Sequence, residues 1–137
     1  MSRENEIELI NEIIGTLDYS DIIAITIAEG GAMGDPGGLE LVKSDLSLYH
    51  TNLSYSDINT DKLFEKIPVL GKIKVFFGNA NNVEDWKTFY MGFGNYLLVR
   101  DKYFEPYQKY LDENYKEGYE FGELYNSWYE ILKQIIE

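Results

Sequence analysis

Cysteine is absent from this sequence, histidine occurs once, and twelve Lys and Arg stand against twenty-four Asp and Glu. The missing thiols exclude disulfides, thiolate metal sites, CxxC redox chemistry and a thiol nucleophile, and fit a reducing compartment. With His50 the sole imidazole, a metal site would have to be finished with carboxylates, so no metal and no cofactor is expected. No stretch approaches the roughly 18–20 uninterrupted apolar residues of a membrane span. The opening MSRENE mixes charges and lacks the apolar run of a secretory signal. Both points predict a cytoplasmic protein with no membrane partner. The shortage of bases leaves a formal net charge of -12, which argues against direct binding of nucleic acid or an anionic membrane.

What is present can still build a core. Hydrophobic residues make up 45% and aromatics 15% of the 137 residues, too many for an intrinsically disordered chain. A chain of this length is read as one domain spanning residues 1–137, able to bury roughly two-thirds of its unfolded surface.

Ile7, Ile10, Ile14 and Leu17 recur at helical spacing, with Glu4, Glu6, Glu8 and Glu12 on the outer face, and predict an N-terminal helix. Residues 22–28 form a β-branched apolar run that reads as a buried strand, followed by a glycine-rich loop over 30–38. Strands are expected over 39–42 and 46–53, the latter alternating at Leu46, Leu48 and His50. Ser56 and Asp57 precede a short helix closed by Pro68, and residues 73–77 read as a further strand. Residues 89–100 are β-prone, with Gly92 and Gly94 marking a bulge or close backbone approach. Asp101 can cap a helix carrying Tyr103, Tyr107, Tyr110 and Leu111, in which Pro106 is tolerable only within the first turn. Phe121, Leu124, Tyr125, Trp128, Leu132 and Ile135 define a last helix. The pattern is an α+β domain: a mainly antiparallel sheet of about five strands, with an N-terminal helix and two C-terminal helices.

Chemistry is harder to find. The 30–38 loop has neither GxxxxGK[ST] nor GxGxxG spacing, and Glu29 and Asp35 would repel a phosphate, so it reads as structural or partner-contacting. Ser44, Asp45 and Ser47 near His50 look like triad material, but a triad is a matter of geometry, and a lone strand histidine reads first as structural. Glu117, Glu120, Glu123 and Glu130 lie largely off the apolar stripe of the last helix and read as a solvated face. Arg100, one of two arginines, could clamp a carboxylate or close the sheet through an internal salt bridge. Residues 86–137 hold fifteen aromatics; they are core alone, or core plus a partner surface on which Tyr115, Tyr119 and Tyr129 serve as anchors.

In size, acidity, lack of cysteine and the glycine-punctuated aromatic segment 86–100, the chain resembles the small acidic immunity proteins of bacterial toxin–immunity systems. That resemblance implies a non-enzymatic module that occludes a basic toxin. It agrees with the charge, which favours a basic protein partner steered by Glu29, Asp35, Glu117, Glu120 and Glu123. The alternative is a small-molecule-binding protein or small enzyme with a ligand pocket bordered by the 30–38 loop, His50 and Arg100. A homodimer joined through the aromatic C-terminus is a third reading.

Overall fold

In the computed structural model, which describes residues 2–28, 38–51, 53, 57–75, 82–92, 95–114 and 121–136 (backbone alone at 28, 91–92 and 121–127), Ser2 caps the first helix, α1 (Arg3–Thr16). Its hydroxyl accepts the Asn5 N–H, and Glu4 and Glu6 sit in the first turn, where the helix dipole favours negative charge. A 3₁₀ turn over Tyr19–Asp21 then delivers the chain into β1 (Ile22–Ala28), whose residues 22–27 are all buried. A strand apolar on both faces belongs in the middle of a sheet with both faces covered.

That is where β1 lies. With β2 (Gly38–Lys43), β3 (Leu48–Thr51), β4 (Asn82–Val83), β5 (Trp86–Gly92) and β6 (Asn95–Arg100) it forms a six-stranded sheet in the order β3-β2-β1-β6-β5-β4. Every neighbouring pair is antiparallel, so two three-stranded meanders meet at the central β1–β6 pair, where Ala24 faces Val99. The connection between meanders carries α2 (Thr60–Lys66) and α3 (Pro68–Val75). Ile14, Leu63, Val69, Leu70 and Ile73 from α1–α3 pack with Ile25, Ile27, Leu41, Trp86 and Leu98 on one face. On the other face α4 (Asp101–Asn114) and α5 (Phe121–Ile136) bring Tyr107, Leu111, Trp128, Ile131 and Leu132 onto Ala24, Val42, Leu97 and Val99. The protein is thus an α+β fold with its N-terminal and C-terminal helices on opposite faces of one sheet.

Gly38 opens β2 with φ +108°, and a Cβ there would stand 2.1 Å from the Thr51 carbonyl oxygen. Only glycine meets both demands.

Several sequence expectations are corrected. Residues 73–75 are the last turn of α3, not a strand: Leu70 and Ile73 point inward at helical spacing, whereas Val75, which would share a strand face with Ile73, is 77% exposed. Phe76 and Phe77 lie outside the described residues. Pro68 does follow the end of α2, and it also opens α3, where its missing N–H costs nothing. The strand expected over 46–53 shrinks to Leu48–Thr51, because Leu46 adopts φ 64° in a turn. Its buried residue is Thr51, while Leu48 and His50 are exposed. Within the β-prone stretch 89–100 the end of β5 pairs antiparallel with β6, with a register irregularity between Tyr90 and Gly92, and Gly94 lies outside the described residues. Pro106 lies inside α4 beyond its first turn; both it and Lys102, whose carbonyl loses the usual helical donor, are exposed, so water can take the carbonyl.

Candidate functional site

The strand registers bring one set of chain segments to a common end of the sheet. β1 and β5 start there, β2 and β6 finish there, and β4 ends and β3 begins beside them. Four connections meet as a result: residues 18–21 entering β1, the 44–47 turn, the 84–85 turn, and the step from Arg100 into α4.

Backbone hydrogen bonds knit them pairwise. Ser44 N–H donates to the Asp21 carbonyl at 2.8 Å, and Asp101 N–H donates to the Asp85 carbonyl at 2.7 Å. A side-chain stack joins the two pairs. Trp86 Nε1 donates to the Tyr19 hydroxyl at 3.2 Å, and the Arg100 guanidinium lies 4.8 Å from the Tyr19 ring centroid and 5.3 Å from that of Trp86. Each member of the stack has an exposed carboxylate as its chain neighbour: Asp18 beside Tyr19, Asp85 beside Trp86, Asp101 beside Arg100. Asp21, Asp45 and Glu84 complete the acidic rim.

Lysines meet part of this charge. Lys72 pairs with Glu84, and Lys87 lies 4.0 Å from Asp101. Among the described residues Asp18, Asp21, Asp45 and Asp85 form no ion pair within 4.0 Å. Two of these are held by their own turns. The Ser20 hydroxyl and then its N–H donate to Asp18 at 2.8 and 3.0 Å; the Ser47 hydroxyl and N–H donate to Asp45, the latter at 2.9 Å. Those hydrogen bonds, hydroxyl first, hold both carboxyls below the usual aspartate range. A carboxylate of lowered pKa is a poor proton donor near neutrality. It is a fixed negative charge. Every described Asp, Glu, Lys and Arg is at least partly exposed, so this charge faces solvent.

The internal salt bridge considered for Arg100 is not formed among the described residues. The guanidinium is half-buried between aromatic rings, and its Nη1 is shut from solvent without a hydrogen-bond acceptor. A pocket shared by Arg100 and His50 is not built either. His50 is on β3 and Arg100 on β6, with β2 and β1 between them. Arg100 shares its face with Leu98 and the α1–α3 layer; His50 pairs across from Glu40, whose strand neighbour Val42 packs in the α4–α5 layer, so the two side chains leave opposite faces. His50 Nδ1 lies 3.1 Å from Glu40 Oε1, and Asp45 is engaged by Ser47, so the triad-like neighbours do not assemble. A cavity beside α1, lined by Ile10, Ile14, Leu17, Leu41 and Tyr49 among others, holds about 20 Å³, room for a single water at most. Among the described residues no three His, Asp or Glu side chains group closely enough to hold a metal ion.

Searches of family models, curated proteins and solved structures found no match to this chain. The geometry alone therefore carries the functional reading.

Of the other nominated residues, Tyr129 spends its hydroxyl on the Leu46 carbonyl at 2.9 Å, tying α5 to the 44–47 turn, and it is half-buried. Glu123 falls on the α5 backbone without a described side chain, while Glu29, Asp35, Tyr115, Glu117, Tyr119 and Glu120 lie outside the described residues. Sequence reasoning misses the acidic rim. One part of it carries a signal: Asp18-Tyr19-Ser20 and Asp45-Leu46-Ser47 repeat the Asp-x-Ser pattern of a side-chain-closed turn.

Proposed function

We propose that this chain is a non-enzymatic binding module whose partner is a basic protein, received at the acidic end of the sheet. One observation carries the reading: Asp18, Asp21, Asp45 and Asp85, drawn from three connections, lie at one end of the sheet without ion-pair partners among the described residues. Ionised, oriented carboxylates raise the encounter rate with a cationic surface, by roughly 10–1000-fold at low salt. Tyr19, which keeps part of its surface exposed, supplies contact area of the kind that anchors interfaces. The finer form of the reading, an immunity protein that neutralises a basic toxin, rests on the resemblance noted above and on the same charge.

The test compares wild type with a triple variant, Asp18→Asn, Asp45→Asn and Asp85→Asn, as immobilised baits in lysate of the source cell. A basic protein retained by wild type in low salt, released as salt rises and lost from the variant is the expected result. Recovery of no basic protein, or equal recovery on both baits, rejects the reading. Growth arrest on expressing the captured protein, relieved by co-expressing this chain, tests the toxin-neutralising form.

A further inference from the structure

We propose that Arg100 receives a carboxylate from that basic partner, and that this carboxylate is flanked in the partner by lysine or arginine. The inference deepens the acidic-end reading and rests on it.

The two arginines differ in their pairing. Arg3 lies within ion-pair distance of Asp57. Arg100 has none among the described residues, although Asp18, Asp85 and Asp101 adjoin its stack in sequence. Two of those neighbours are engaged elsewhere: Asp18 is held by Ser20, and Asp101 faces Lys87. The guanidinium presents five donors in a rigid fork; Nη1 is shut from solvent, so a carboxylate meets the edge that the residue keeps exposed. Contact with the Tyr19 and Trp86 rings, at 4.8 and 5.3 Å, fixes its plane, so little further freedom is lost when a carboxylate docks. The residue keeps part of its surface exposed, which leaves it open to an incoming group.

The rim then selects among anions. An isolated anion approaching Arg100 meets Asp18 and Asp85, the chain neighbours of Tyr19 and Trp86. A carboxylate between two cations does not, because its neighbours satisfy the rim while it meets the fork. The surface is therefore complementary to an alternation of base, acid and base.

Two capped pentapeptides test this by tryptophan fluorescence titration at low salt: KKEKK and KKQKK, acetylated and amidated. Charge attraction alone favours KKQKK, which carries one more net positive charge. The expected result is the reverse, with KKEKK binding wild type about tenfold tighter, as a charge-assisted hydrogen-bonded pair supplies. In Arg100→Gln, shown folded by circular dichroism, the preference disappears. Should that variant fail to fold, the wild-type comparison still decides. KKQKK binding as tightly as KKEKK or more tightly overturns the Arg100 inference and leaves the acidic-end reading standing. Binding of neither peptide overturns both.

Discussion

Two serines hold two of the carboxylates at the acidic end. Ser20 and Ser47 each give a hydroxyl and an N–H to an aspartate that is otherwise open to water, and so lower its pKa. Removing one donor reverses part of the effect. In Ser20→Ala the Asp18 carboxyl is expected to titrate closer to the ordinary value of about 3.9, measured by NMR of the carboxyl carbon against pH. The folded value lies below the unfolded one, so the stability it brings is present above the ordinary aspartate value and is lost as pH falls through the folded value. Acid unfolding of the variant should accordingly begin at slightly higher pH; an unchanged carboxyl titration would show that the hydroxyl does not set the charge. The Asp-x-Ser spacing makes these two turns legible from the order of residues alone. The Arg100 stack is not legible in that way, because Tyr19 and Trp86 stand 67 positions apart and meet only through strand register.

At the scale of elements, Pro106 is the clearest local conflict. It occupies the interior of α4 and withholds the N–H that the Lys102 carbonyl would receive. Its exposure means that no packing is lost on replacement, so Pro106→Ala is expected to stabilise the fold by about 1–3 kcal/mol, read from urea unfolding. A loss of stability would mean that the ring serves the native bend of α4. Elements with a strong period are legible: α1 from its isoleucines, β1 from its β-branched run, α5 from Trp128 and Leu132. Residues 73–75 are not, since a short apolar run reads equally as strand or buried helix and the burial of Ile73 against the exposure of Val75 settles it only in three dimensions. The two-residue β4 is too short to leave any pattern.

For the whole molecule, the net charge of -12 opposes compactness. Raising salt from about 10 to 150 mM shortens the screening length from about 30 to 8 Å, and the melting temperature is expected to rise by about 3 °C in a calorimeter. A fall on adding salt would show that the few surface ion pairs outweigh the repulsion. No property of composition foretells that Asp18, Asp21, Asp45 and Asp85 fall on connections at one end of the sheet; that follows from the way two meanders are set back to back.

The β1–β6 seam has one more implication. It joins the most distant stretches of chain in the sheet, and at its acidic end the Tyr19–Trp86–Arg100 contact is the clasp between the two meanders. A macromolecule gripping that clasp holds both halves shut together, so its grip is felt as resistance to global opening rather than as the stiffening of one loop.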